Sequence, residues 1–117
     1  MDPRPMLGRA GERLAVDLYL RGGFSIADRN YRSKGGEIDV VARKGRLLVF
    51  CEVKTRHSDR WGLPAEAVAW GKQQRLRRLA AQWMSEHRPG DVEVRFDVVS
   101  IVVEGGRARP TLIPAAF

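Results

Sequence analysis

The sequence predicts an α/β domain, a central sheet flanked by helices, on three observations. Leu7, Ala10, Leu14 and Leu18 recur at helical spacing. Residues 37–43 and 47–55 are rich in Val, Ile, Leu and Phe and meet at Lys44-Gly45-Arg46-Leu47, the pattern of a β-hairpin. Leu76, Leu79, Ala80 and Trp83 then mark the buried stripe of a second helix, followed by a long apolar run over residues 92–104. At 117 residues the chain is expected to form one domain over 7–117, with residues 1–6, which carry Pro3 and Pro5, as a frayed tail.

The first helix is expected to begin near Leu7 and to end at Gly22-Gly23. Glu12 falls off its apolar stripe, on a shoulder shared with Val16 and Tyr19. From there its carboxylate either looks along the sheet or only complements the helix dipole. Residues 24–31 read as a first strand. Residues 29–36 are a basic, glycine-bearing turn, in which Arg32 and Lys34 either grip a backbone phosphate or are simply solvated.

The hairpin carries the chemistry. With Gly45-Arg46 as a two-residue loop and glycine at the first central position of a type II′ turn, the register pairs Asp39 with Glu52 and Glu37 with Lys54. Strand alternation then brings all four side chains out on one face. Opposed carboxylates destabilise a hairpin unless a partner compensates them, and a hard divalent cation, Mg²⁺ or Mn²⁺, is the natural partner. Lys54 would stand beside a metal-bound water or stabilise charge on phosphoryl oxygens. The alternative is a Glu37–Lys54 salt bridge with Asp39 and Glu52 solvated. The continuous apolar run Leu47-Leu48-Val49-Phe50-Cys51 indicates a central strand, and charges at the end of such a strand are costly to desolvate, which favours a site.

Beyond this strand, residues 56–62 have the composition of a mobile loop: Arg56 is a phosphate-contact candidate, His57 a ligand or proton carrier without a partner motif, and Trp61 a base-stacking or core-covering ring. The second helix starts after Pro64, its main part at 71–87. Lys72, Gln73 and Arg75 in its early turns either contact phosphate or belong to a solvated charged face. In the strand over 92–104, Asp97 reads as a buried carboxylate that ties down a backbone group or an arginine. Pro110 and Pro114 demote the last segment to a sheet edge, and its apolar end either packs on the domain or meets a second copy of the chain in a homodimer.

The chain carries 21 Lys plus Arg against 14 Asp plus Glu, a net charge of +7, which favours a polyanionic partner. Seventeen of the basic residues are arginine, whose planar fork suits phosphate. Cys51 is the single cysteine, so no internal disulfide can form, and its apolar neighbours make it a core thiol. No stretch has the length of a membrane span or the pattern of a signal peptide, so a soluble, cytoplasmic protein without membrane contact is expected.

Gly8-Arg9-Ala10-Gly11-Glu12, Asn30-Tyr31-Arg32, Gly36-Glu37-Ile38-Asp39, Val49-Phe50-Cys51-Glu52-Val53-Lys54-Thr55-Arg56 and Arg95-Phe96-Asp97-Val98-Val99 together resemble the bacterial UPF0102 (YraN-like) family, related to Holliday-junction resolvases within the PD-(D/E)xK nuclease superfamily. The resemblance spans about residues 8–104. It implies a restriction-endonuclease-like αβββαβ core with a mixed sheet, a Mg²⁺ or Mn²⁺ site, and phosphodiester cleavage of DNA; branched DNA of recombination and repair intermediates, single-stranded DNA and duplex DNA are all open as the substrate. Position by position, it implies Asp39, Glu52 and Lys54 as the motif residues and Glu12 as the helix carboxylate. The implied metal set is Asp39, Glu52 and the Val53 carbonyl, with Glu37 as an additional carboxylate. Ile38 stands where the wider superfamily often has proline. A binding module that retains the site without cutting, and an assembly protein whose charged hairpin is a partner surface, are the competing readings.

Overall fold

The computed structural model describes residues 4–57 and 70–117. In chain order the elements are α1 (Arg4–Arg21), β1 (Ser25–Ser33), β2 (Gly36–Lys44), β3 (Leu47–Arg56), α2 (Trp70–His87), β4 (Glu93–Glu104) and β5 (Arg107–Ile113). The strands form one five-stranded sheet in sequential order, with β3 and β4 parallel and every other neighbouring pair antiparallel. The parallel step falls where α2 intervenes, because parallel neighbours need a long crossover whereas the other connections are tight turns. This mixed sheet with its two helices is compatible with a restriction-endonuclease-like core, β5 adding an antiparallel edge.

The helices cover opposite faces. Alternation along β3 sends Leu48 and Phe50 to α2, where Leu76, Leu79, Ala80 and Trp83 pack with Ile38, Val41 and Phe96. Val49 and Cys51 go the other way, to Ala15 and Tyr19 of α1 with Val40, Ala42, Val99 and Ile101. Strand β3 is thus buried on both sides, and the Cys51 thiol, fully buried, has its pKa pushed up chiefly by desolvation.

Several boundaries differ from expectation, each for a local reason. Helix α1 starts at Arg4 and not near Leu7; Pro5 is tolerated there because a first-turn N–H has no helical partner to lose. Its most buried line is Gly11, Ala15 and Tyr19, while Ala10, Leu14 and Leu18 are only half-buried. The helix lies so close to the sheet that a Cβ on Gly11 would come within 2.6 Å of Thr55 Oγ1 and 3.1 Å of Ile101 Cδ1. Strand β1 runs on to Ser33, because Arg32 and Ser33 still pair with Glu37 and Gly36, so the basic turn shrinks to Lys34-Gly35.

The Gly11 contact yields a testable expectation. Alanine in a helix is favoured over glycine by about 1 kcal/mol. Overpacking against a rigid sheet costs roughly 1–3 kcal/mol, so Gly11→Ala should be net destabilising. Combining it with Thr55→Ala should recover much of the loss in a urea titration; a stabilised single variant would show that α1 does not sit this close.

Asp97 is fully buried and fully engaged. It accepts hydrogen bonds from Tyr19 Oη at 2.8 Å, Arg95 Nε and Nη2 at 2.8 and 2.9 Å, and the Ala115 amide at 3.0 Å. One carboxylate therefore joins α1, β4 and the C-terminal segment. That segment packs on the domain: Ala116 N donates to Phe96 O at 2.8 Å, Phe117 stacks on Phe96, and the Arg77 guanidinium lies over both rings.

Candidate metal centre

The hairpin register is the one read from the sequence: Lys44 pairs with Leu47, and the ladder runs back to Val40 opposite Cys51. Gly45 has φ 60 while Arg46 keeps a negative φ, the combination a type II′ turn requires and a type I′ turn forbids. Past Val40 and Cys51 the ladder stops. The Asp39 carboxylate enters the fork, its Oδ2 accepting the Val53 amide at 2.7 Å.

The fork breaks strand alternation. Ile38 and Val41 both join the α2 core while Val40 joins the α1 core, so β2 rolls at Asp39. Strand β1 rolls beside it: Asn30 has φ 53, and Asp28 and Tyr31, three residues apart, both reach α2, through Trp83 Nε1 to Asp28 Oδ2 at 2.9 Å and Tyr31 Oη to Glu86 Oε1 at 2.6 Å. The expected single face of Glu37, Asp39, Glu52 and Lys54 is therefore divided, because period-two alternation holds only for an unbroken ladder.

Glu37 meets Arg32, with Nε donating to Oε2 at 2.9 Å, in place of the Lys54 partner that the register suggested. Glu52, almost fully buried, is ion-paired to Lys72 of α2. Lys72 thus points onto a carboxylate and not to solvent. Glu12 of α1, Glu37 and Asp39 converge, each offering a carboxylate oxygen within 4.8 Å of the others. Gly36, Glu37, Asp39, Glu52, Lys72 and Arg75 line a depression of about 190 Å³ floored by Leu76 and Leu79. Burial first, then the charge of Glu52, then Glu37, push the Asp39 pKa up to about 8, with the Val53 N–H acting in the opposite direction. Asp39 resists ionisation because it is desolvated and faces two other carboxylates, a setting that a bound cation would relieve.

The remaining sequence candidates are dispersed. Lys54 is half-buried, lies outside the lining of the depression and has no ion pair among the described residues. The Val53 amide, one residue before it, is the donor to Asp39. Arg56 ends β3 with Nε and Nη2 buried and without a hydrogen-bond partner among the described residues. Lys34 and Arg75 share an adjoining depression of about 210 Å³ with Arg78 and Gln82. Arg78 belongs to the charged run of α2 without being a phosphate candidate by sequence, and Gln82 lies beyond that run; with Arg75 they follow the i, i+3, i+7 spacing of one helix face, the signal that singles them out. Gln73 is half-buried on α2 and His57 exposed at the end of β3, while Trp61 and the Pro64 helix start lie outside the described residues.

A model of the family described as uncharacterised protein family UPF0102 matches residues 11–101. The chain belongs to the UPF0102 family. A UPF0102 protein of Frankia alni is 50% identical over 101 residues, covering 86% of this chain and 84% of the relative. One from Geobacter metallireducens is 45% identical over 111 residues, 95% of this chain and 91% of the relative. One from Rhodococcus opacus is 48% identical over 100 residues, 86% and 85% respectively. The span matched to the UPF0102 model encloses Glu12, Glu37, Asp39, Glu52 and Lys54. No helix among the described residues of this UPF0102 chain is long and apolar enough to cross a membrane.

Proposed function

We propose that this UPF0102 chain is a metal-dependent endonuclease that hydrolyses DNA phosphodiesters. The observation that carries the reading is the convergence of Glu12, Glu37 and Asp39 within 4.8 Å around a carboxylate whose pKa is pushed up to about 8. The donor set fits the ion: it is all oxygen, as Mg²⁺ and Mn²⁺ prefer, and its carboxylates crowd one another. Glu12, Glu37 and Asp39 would hold the metal, with Glu52 joining them when released from Lys72. A bound divalent ion supplies a water of lowered pKa and neutralises charge on the phosphate.

The protein's own groups do the rest. The Val53 N–H fixes Asp39 Oδ2 and so orients the carboxylate. Arg75, at the rim of the depression, attracts the phosphate backbone, while Lys72 neutralises Glu52. Lys54, two residues past Glu52 and without an ion pair among the described residues, is the cation assigned to stabilise the phosphoryl oxygens.

Purified protein is tested on linear, flapped and branched DNA with Mg²⁺ or Mn²⁺. Wild type should cut in a metal-dependent way. Lys54→Ala should lose roughly 10²–10³-fold in rate, the usual effect of removing one group that stabilises transition-state charge, while keeping Mn²⁺ binding. Cleavage by Lys54→Ala at the wild-type rate removes Lys54 from the chemistry, and metal-independent or absent cleavage by wild type sinks the nuclease reading.

A further inference from the structure

A second charged feature lies on the α1 side of the fork, where Arg9, Glu12, Arg13, Arg29 and Asn30 line a groove of about 500 Å³. Arg9 and Arg13 are one helical turn apart and so rise from the same face of α1. Arg29 and Asn30 are adjacent in β1, where a regular strand would send them to opposite faces. The left-handed backbone of Asn30, φ 53, brings both into the groove. Asparagine is among the few non-glycine residues that adopt this conformation readily, so the turn of the strand is written into the residue type.

The groove gathers three arginines that no carboxylate neutralises among the described residues. Arg32, Arg46, Arg95, Arg109 and Lys72 each meet a carboxylate. Arg9, Arg13 and Arg29 have no ion pair among the described residues, although they share one concavity. Among the described residues the only carboxylate lining it is Glu12, which also belongs to the cluster with Glu37 and Asp39. The groove therefore opens onto the acidic centre. On the other side, the depression holding Lys34, Arg75 and Arg78 meets that centre through Arg75. The order across the surface is basic, acidic, basic, which suits a polyanion that presents one phosphate to the acidic centre and its neighbours to arginines.

We infer that the groove between α1 and β1 is a backbone-phosphate subsite for one flank of a DNA strand whose other flank lies along Lys34, Arg75 and Arg78. The inference rests on the nuclease reading for what happens between the two flanks, and on the arginines alone for binding.

The test separates the two. Binding of a fluorescein-labelled duplex and of its single strand is titrated against salt without divalent metal, for wild type, for Arg13→Gln/Arg29→Gln, and for Arg107→Gln/Arg109→Gln on the opposite sheet edge as control. Losing two phosphate contacts should reduce the slope of log K against log salt by about two units and weaken affinity roughly tenfold or more at physiological salt. The control should shift neither. An unchanged slope in Arg13→Gln/Arg29→Gln, or no salt-dependent DNA binding by wild type, overturns the subsite. If the slope falls as expected but wild type never cuts DNA with Mg²⁺ or Mn²⁺, the subsite stands and the nuclease reading fails. Metal-dependent cutting with an unchanged slope would instead keep the nuclease reading and remove the subsite.

Discussion

Asp97→Ala is expected to lower the melting temperature by roughly 10–15 °C, equivalent to about 3 kcal/mol in a domain of this size. The side chain has no solvent exposure, and the substitution orphans three separate donors: the Tyr19 hydroxyl, the Arg95 guanidinium and the Ala115 amide. Removing one partner of a buried ion pair leaves the other uncompensated, which costs more than the pair contributes. Arg95 is partly exposed and can recover some hydration, which is why the lower end of the usual range is expected. The hydroxyl and the amide cannot recover as easily, since Tyr19 is buried against the sheet and the C-terminal turn is held at Ala115. Asp97→Asn should fall between the two, keeping an acceptor and losing the charge. Circular-dichroism melts decide it; a loss under about 1 kcal/mol for the alanine variant would mean that this network does not tie α1, β4 and the C-terminal segment together.

Asp39→Asn is expected to abolish metal-dependent cleavage and, without metal, to stabilise the protein at alkaline pH. The sign follows from the pKa. Asp39 is pushed from 3.8 up to about 8 in the fold, first by burial and then by the charge of Glu52. Below about pH 4 both folded and unfolded chains hold the proton, and the group is neutral to stability. Between 4 and 8 the unfolded chain gives up the proton while the folded chain keeps it, so wild-type stability falls as pH rises through this window and levels off above 8. Asparagine has no proton to lose and its carbonyl can still accept the Val53 N–H. The variant's advantage should therefore be small near pH 4, grow toward pH 8 and then stay constant, reaching at least about 1–2 kcal/mol at about 1.4 kcal/mol per pH unit of displacement, less relaxation.

Metal reverses the comparison. An ion bound only to the folded wild type adds about 2.7 kcal/mol at a hundredfold excess over its dissociation constant, and that increment should vanish in Asp39→Asn. Melts at pH 5, 7 and 9, with EDTA and with Mn²⁺, give the whole pattern. A variant that melts below wild type at pH 9 in EDTA, yet keeps the full Mn²⁺ increment, would remove Asp39 from the metal site.

Much of this was legible in the residues. The apolar run Leu47–Cys51 could only be a strand buried on both faces, and β3 lies between β2 and β4. Gly45-Arg46 set the hairpin register, since a two-residue loop with glycine first leaves one choice of pairing. The stripe Leu76, Leu79, Ala80 and Trp83 is buried as the helical period requires. These are local matters, decided by propensity and periodicity within a few residues of chain.

What pattern alone misjudged was the burial of α1. Its most apolar residues, Leu14 and Leu18, lie at the flanks, while Gly11, Ala15 and Tyr19 face the sheet. The choice was made by how closely the helix can approach Thr55 and Ile101, and by the Asp97 carboxylate that Tyr19 reaches 78 residues along the chain. Neither partner is visible from within the helix.

The metal centre shows the same division between local chemistry and tertiary placement. The sequence by itself determined which residue types were available: carboxylates at 37, 39 and 52, lysine at 54, and a register that brings Asp39 to the end of the β2–β3 ladder. Only the tertiary structure decided their partners. Extrapolating period-two alternation put Asp39, Glu52 and Lys54 on one face, but the strands fork past Val40, and a carboxylate in a fork can accept a backbone N–H and meet groups from both sides of the sheet. Glu12 arrives from one helix and Lys72 from the other, across sequence separations that no local pattern encodes. Spacing along a strand specifies direction only while the ladder is intact; where it ends, packing of the helices on the two faces specifies it.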